Sequence, residues 1–468
     1  MTVLQVEPRN WRGEVERALG AGHVFAGAWA GERGGRILWS AVLQAPDGAS
    51  IILQSAGTGE VQSIVDIVEA AGWDEREAHD LHGLRFDGHD PMRALASHTQ
   101  DATSWMTPVT GEGVIQVAVG PVHAGVIESG HFRFHVIGER ILALDPRLFY
   151  KHRGLERAAQ GAGPEDALAY AQRACGACAV ANTVAYSQAV EDARGLRPDR
   201  GLRAARTVLL ELERLYNHLN DIGAICAGVG FAPGTMAFAA LKDRAQQVNL
   251  RSFGHRFLFG TVNVGAGAVA LDADTAQRAR SDLRELHTDS AAAWRELEFA
   301  GSLQARLAGV GVLGEHDALR LGATGPAARA CGVRHDARAT SPRLAYDGFI
   351  PATVANAAGD VGARMRMRAA ELEQTYEMLD ELLAGPLPAG VALPAAEPVA
   401  LGTSRVESPR GATLCVVELA GSKLARWHLR TGSYANWPAL AHAAIGNLLP
   451  DFPLINKSFE LCYACVDR

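Results

Sequence analysis

Two Cys-x-x-Cys pairs constrain this chain more than anything else in it. Cys175-Gly176-Ala177-Cys178 lies in the middle of the sequence, and Cys462-Tyr463-Ala464-Cys465 lies at its far end. Two intervening residues let the backbone turn so that both sulfurs of a pair face one metal ion. If the pairs share a site, the fold must return the end of the chain to its middle. Spacing alone leaves four readings open: a four-cysteine zinc site, an iron–sulfur cluster, a nickel–iron centre, and a redox dithiol or disulfide. Small zinc modules close their pairs over a short loop, whereas here most of the core lies between them. The remaining three of seven cysteines, Cys226, Cys331 and Cys415, stand alone in apolar surroundings. They read as buried small hydrophobes.

Composition removes some function classes. The 468 residues are 48% hydrophobic and 21% charged, with a net charge of −7 spread along the chain. That length predicts two or three domains, and the charge argues against a nucleic-acid partner. No apolar run reaches the roughly 18 residues of a membrane span. The stretch Met1 to Glu7 lacks the basic start and apolar core of a signal peptide. A cytoplasmic protein is predicted, with any link to a membrane made through partners. Thiols stay reduced in that compartment, which suits metal ligation better than disulfides.

Patterning divides the chain into residues 1–100, a small polar linker at 101–112, and residues 113–468. The predicted class is α+β: a small N-terminal α/β domain, then a large, mainly helical bundle with peripheral β-hairpins. Val24 to Ala30 and Arg36 to Leu43 read as strands. Ser63 to Ala71 reads as a short helix or strand exit. Trp73 to Asp90 is dense in His and Asp; a charged helix end with a docking surface explains it better than a metal site. Val114 to Gly125 and Phe132 to Leu144 predict a strand and a hairpin turning at Gly138-Glu139-Arg140. His123 and His135 on these strands read first as hydrogen-bonded structural residues. Helical periodicity runs over Glu165–Arg194 (embedding the first cysteine pair), Leu202–Cys226, Met236–Phe259, Asp272–Leu307 and Ala363–Leu383. Strands are predicted at Thr413 to Leu419 and Lys423 to Leu429. Val264 to Val269 is glycine-rich without a dinucleotide fingerprint, so it reads as a turn and no nicotinamide site is expected.

Four short motifs, in order, carry a resemblance. Arg173-Ala174-Cys175-Gly176-Ala177-Cys178 resembles the Arg-x-Cys-Gly-x-Cys motif of [NiFe] hydrogenase large subunits. Cys462-Tyr463-Ala464-Cys465-Val466-Asp467-Arg468 resembles their C-terminal Cys-x-x-Cys-x-x-Arg. His152-Arg153-Gly154-Leu155-Glu156 resembles their Arg-Gly-x-Glu, and Pro409-Arg410-Gly411 their Pro-Arg-Gly. The subgroup that fits is the energy-converting, complex-I-like one of the formate hydrogenlyase and hydrogenase-4 kind. In that group a domain like the complex I 30-kDa subunit is fused ahead of one like the 49-kDa subunit, and Trp73 to Asp90 resembles the signature of the former.

The resemblance implies a catalytic subunit that interconverts H2 with protons and electrons at a Ni–Fe centre. Nickel and low-valent iron favour thiolates. By resemblance Cys175 and Cys462 are terminal on nickel, Cys178 and Cys465 bridge nickel and iron, and iron carries CO and CN. Arg410 is implied as a guanidinium donor to a cyanide, a role its fixed charge and forked head suit. Cys462 is implied as first proton acceptor and Glu156 as the next carrier. No cysteine set is left over for an iron–sulfur cluster, so the expected partners are a small [4Fe-4S] subunit and, beyond it, antiporter-like membrane subunits. Maturation proteins would load the metals. The expected location is the cytoplasmic side of the inner membrane. Two positions depart from the pattern: Asn182 stands where the family has a histidine, and Glu460-Leu461 where it has Asp-Pro. The alternative is a complex-I-like quinone-site or coupling subunit without hydrogenase activity. In the quinone-reducing relatives the matching hairpin carries a histidine at the quinone pocket, which gives His123 a second reading.

Overall fold

Leucines at 209, 212, 215 and 219 lie on one helical face, and the helix they define, Arg200–Gly228, is the longest described. It is buried along most of its length. Helices Ala232–Phe253 and Val361–Leu382 pack against it, and Ala273–Phe299 packs against both of these. Three of the four start at an aspartate whose side chain accepts a first-turn N–H: Asp199 from Leu202, Asp272 from Thr275 and Asp360 from Ala363. Such a cap satisfies a donor the helix leaves open. The computed structural model describes residues 2–56, 59–98, 105–122 and 128–468. The class is mixed α and β, as expected. Among the described residues no helix is long and apolar enough to cross a membrane.

The N-terminal unit is a four-stranded sheet. Thr2–Gln5 runs parallel to Ser50–Ala56, which is antiparallel to Arg36–Gln44, itself antiparallel to Val24–Arg33. Alternation along these strands makes both faces apolar. One face, with Trp39 and Leu53, packs on Trp11 and Val15 of helix Trp11–Gly20. The other, with Trp29, Val42 and Ile52, packs on Leu401, Leu414 and Val416 of a C-terminal antiparallel sheet. That sheet comprises Leu401–Ser408, Gly411–Ala420 and Lys423–Arg430. Its first strand has no counterpart in the sequence reading.

The first half of the predicted docking surface faces inward, while Leu81, His82, Arg85, Asp87 and Asp90 of its second half are exposed. Helix Gly72–His82 buries Asp74, Glu75 and Glu77. Asp74 pairs with Arg430 and Glu77 with Arg468, both in the C-terminal part of the same chain. The hairpin is found at His131–Ile137 and Arg140–Arg147, paired outward to Val114–Val119. His135 is buried, and among the described residues neither ring nitrogen meets a hydrogen-bonding partner, contrary to expectation. His123 lies outside the described residues, as does part of the expected linker.

Two predicted helices are each divided. Asp272–Leu307 breaks at Ala300, leaving Ala273–Phe299 and Gly301–Leu307. The periodic stretch around the first cysteine pair is two helices, Pro164–Ala174 and Ala179–Ala193, with the pair in the break. Ser63 to Ala71 becomes turns and one 3-10 turn, Glu69–Ala71. Cys226, Cys331 and Cys415 are buried as expected. Burial pushes the Cys226 thiol up to about 12 and the Cys331 thiol up to about 11.

A candidate metal centre

The break between the two helices is what makes the first pair usable. Cys175 leaves the helix Pro164–Ala174 in extended conformation, at φ −155° and ψ 133°. Gly176 and Ala177 turn the chain, and Cys178 occupies the N-cap position of Ala179–Ala193. At the other end, helix Phe452–Phe459 stops at Glu460, which is left-handed at φ 49°. Cys462 follows in irregular chain, and Cys465 sits in the short helix Ala464–Asp467.

The two pairs meet. The sulfurs of Cys175, Cys178, Cys462 and Cys465 all lie within 4.8 Å of one another, and Cys178 Sγ is 3.9 Å from Cys462 Sγ. All four are free thiols; three are buried and Cys462 is partly exposed. Four thiolates around one ion at about 2.3 Å would stand about 3.8 Å apart. The donor set and its spacing therefore fit a thiophilic metal group. Cys462 has its pKa held well below the thiol range, because the other three cysteines donate to it and, against burial, the Arg410 cation stands near.

One face of the long helix grips the first pair. Glu213, Asn217 and Asp221 recur every four residues, so they stack along it. Glu213 accepts the N–H groups of Val180 at 2.7 Å and Ala181 at 3.0 Å. Asn217 donates to the Ala177 carbonyl at 2.9 Å and accepts from Arg410 Nη2 at 3.2 Å. Asp221 pairs with Arg410 Nη1 and, at 2.9 Å, with Arg368 Nε. Arg410 sits on the tight turn between two strands of the C-terminal sheet. Its turn partner Gly411, at φ 122°, packs so closely on Gly325 that a side chain at either would collide. Burial alone would weaken the Arg410 cation. Asp221 and the sulfurs of Cys462 and Cys178 outweigh it and hold its pKa well above the usual value.

The second pair is held by scattered side chains. Ser433 Oγ accepts from Cys462 N at 3.0 Å, and Thr431 Oγ donates to the Cys465 carbonyl at 3.3 Å. Glu128 accepts the Ala464 N–H at 2.6 Å, between the two cysteines. Two residues on, Gly130 lies against Tyr463, so closely that a Cβ there would fall 2.4 Å from the ring. Burial raises the Glu128 carboxyl, and the nearby Cys462 thiolate raises it further. Arg468 pairs with Glu77 at 2.6 Å and with Glu156 at 3.2 Å.

Glu156 is not hydrogen-bonded to a cysteine. Its carboxylate takes the Leu429 N–H at 2.9 Å, the Arg468 guanidinium and the His428 ring at 3.3 Å. Burial would raise its pKa, but His428 and Arg468 overcome that and hold it at about 2. It borders a cavity of about 490 Å³ between the N-terminal sheet and the C-terminal sheet, lined also by Trp29, His82 and His428. Sequence reasoning passed over Glu128, Glu213, Asn217 and Asp221. The last three left a signal, polar residues every fourth position in a leucine-rich helix. Glu128 left none.

Family models match about four fifths of the chain. The nickel-dependent hydrogenase model matches residues 153–221, which span the first cysteine pair and the gripping helix face. The 49 Kd subunit of respiratory-chain NADH dehydrogenase matches 229–399 and 387–468, and its 30 Kd subunit matches 40–108. Formate hydrogenlyase subunit 5 of Escherichia coli is 31% identical, over 88% of this chain and 78% of that protein. Hydrogenase-4 component G of the same organism is 32% identical, over 89% and 77%. The chain belongs to the complex-I-like hydrogenase large-subunit family. It is an oxidoreductase subunit of that family, with its 30-kDa-like and 49-kDa-like parts fused. The family's fold extends to an archaeal membrane-bound sulfane sulfur reductase, a respiratory membrane complex. One chain of that structure superposes with a TM-score of 0.69 at 25% identity, covering 77% of this chain and all of that one. An NADH-quinone oxidoreductase subunit of Phocaeicola vulgatus is 26% identical over 69% of this chain and 70% of that protein.

Proposed function

We propose that this chain is the catalytic large subunit of a membrane-associated [NiFe] hydrogenase, interconverting H2 with protons and electrons. The observation that carries the reading is the convergence of four thiols from two distant Cys-x-x-Cys pairs within 4.8 Å. Cys175, Cys178, Cys462 and Cys465 would hold the nickel–iron group. When bound, that group supplies reversible H2 cleavage. Arg410, fixed by Asp221 and Asn217, presents a permanent cation beside the sulfurs and steadies anionic ligands on that side.

The proton path begins at Cys462, the sulfur most able to hold negative charge and the only one of the four partly exposed. Glu128 is the next carrier. Its carboxyl lies against the peptide between Cys462 and Cys465, and burial brings its pKa upward, toward working pH. Glu156 anchors Arg468 instead, since a carboxyl held near 2 stays ionised and passes no proton. Electrons leave through a partner. Beyond the four clustered cysteines only Cys226, Cys331 and Cys415 remain, fewer than the four thiolates that hold an iron–sulfur cluster. The expected partners are a small [4Fe-4S] subunit, antiporter-like membrane subunits and hydrogenase maturation proteins.

The test is an infrared spectrum of the protein purified from its native host. Metal-bound CO and CN stretches are expected. Their absence from protein that had passed through an intact maturation system would favour the second reading, a complex-I-like coupling role without H2 chemistry. The similarity to the NADH-quinone oxidoreductase of Phocaeicola vulgatus supports that alternative.

A further inference from the structure

We infer that Glu213 is a positioning residue whose task is to release Cys178 Sγ for metal binding. The inference rests on reading the four cysteines as one metal site. It does not depend on which metal fills it.

A side chain at an N-cap has a standing alternative to any other partner. It folds back to accept the N–H of the second or third helical residue, because those donors have no partner within the helix. A thiolate is well suited to this, since the helix N-terminus also attracts negative charge. Cys178 is the N-cap of Ala179–Ala193, yet its side chain makes no such bond. The two donors it would take are the N–H groups of Val180 and Ala181. Both are already taken by Glu213, one by each carboxyl oxygen, at 2.7 and 3.0 Å. Glu213 comes from another helix, 35 residues further along the chain (213 − 178), and is fully buried.

Burying a carboxyl there is costly, and burial pushes it up to about 8. The helix could instead have been capped locally by the side chain of Cys178 itself, with no carboxyl buried from another helix. What the arrangement gains is a sulfur that is 3.9 Å from Cys462 Sγ rather than turned back onto its own backbone. Asn217, one turn further along, holds the Ala177 carbonyl and so fixes the loop that aims the sulfur.

The probe is Co(II) bound to the purified chain, because its sulfur-to-metal absorption counts thiolate ligands. Wild type is expected to show four thiolates. Glu213→Ala and Glu213→Gln are expected to show three, with the charge-transfer intensity down by roughly a quarter and Co(II) bound at least about tenfold more weakly. Glu213→Asp should recover part of both. Circular dichroism identifies any variant that has not folded, and Glu213→Gln, which keeps the size, carries the test if Glu213→Ala fails. A merely structural cap would lower thermal stability while leaving four thiolates on the metal, and that result overturns the inference. A wild-type chain that never shows four thiolates overturns it as well. The infrared test of hydrogenase function is independent, so the two readings fail separately.

Discussion

The two cysteine pairs contribute equally to the site but are built in opposite ways. The first pair lies between the ends of two helices and is gripped by one face of a third, through Glu213, Asn217 and Asp221. The second pair is a loose end. It is fastened by Ser433, Thr431, Glu128, Glu77 and Glu156, which come from widely separated parts of the sequence. The first half of the site can therefore form with the helical bundle. The second half depends on every other part of the protein being in place, the N-terminal unit included, since Glu77 belongs to it.

The largest effect should come from the sulfurs themselves. Cys175→Ser and Cys462→Ser are each expected to abolish the CO and CN bands and H2 turnover. The comparison predicts a difference beneath that shared loss. With the metal tie gone in either variant, the tail from Cys462 to Arg468 should become more open to proteolysis than the helix-gripped segment Cys175–Cys178, which keeps its bonds to Glu213 and Asn217. Equal protection of the two segments would break the contrast.

Next come the two carboxyls. Glu128→Gln should lower H2/D+ exchange by about 10²-fold or more with the infrared bands intact, the size of a lost proton carrier. Glu156→Gln should lower it by less than about tenfold. The reverse order would return the proton path to Glu156, where the motif alone had placed it.

The Glu77–Arg468 pair tests how far the N-terminal unit supports the site. Arg468 is buried and Glu77 nearly so. Removing one member of a buried pair costs about 3–5 kcal/mol when the other is left uncompensated; here Glu156 remains beside Arg468 at 3.2 Å. Glu77→Gln should therefore cost less than that in urea unfolding, yet weaken metal retention, though Glu77 is remote in sequence from every cysteine. Unchanged metal content would mean that the tail is held by the catalytic part alone.

This division also explains what the sequence showed. The first half was legible because it is local. The Cys-x-x-Cys spacing, the leucine periodicity of Arg200–Gly228 and the turn at Gly138 all sit within a few residues of the structure they specify. Helix periodicity ran straight through Cys175 to Cys178, because Ala167, Ala171 and Ala174 and the apolar residues after Cys178 keep the same pattern on both sides of the break. The second half was legible only as a motif. Glu128 reaches Ala464 and Gly130 lies against Tyr463 across more than 300 residues of sequence, and no spacing rule records contacts of that range. The surroundings of Glu156 were illegible for the same reason. Its neighbours His428 and Arg468 are close in space and distant in sequence.

Glu156 provides the smallest and most specific test. Its pKa is held at about 2, below the ordinary 4.5, by His428 and Arg468 against the effect of burial. A carboxyl with a lowered folded pKa adds stability that is fully present above its unfolded value and is lost as pH falls through the folded one. The 2.5-unit difference (4.5 − 2) corresponds to about 3 kcal/mol. Glu156→Gln should therefore be less stable than wild type by about that much at pH 7. Between roughly pH 4.5 and 2 the gap should close, because wild type loses its advantage while the amide has none to lose. Urea midpoints at pH 7, 5 and 3 measure this. A gap that stays constant down to pH 3 would show that Glu156 acts by packing rather than by charge, and that Arg468 is held by Glu77 alone.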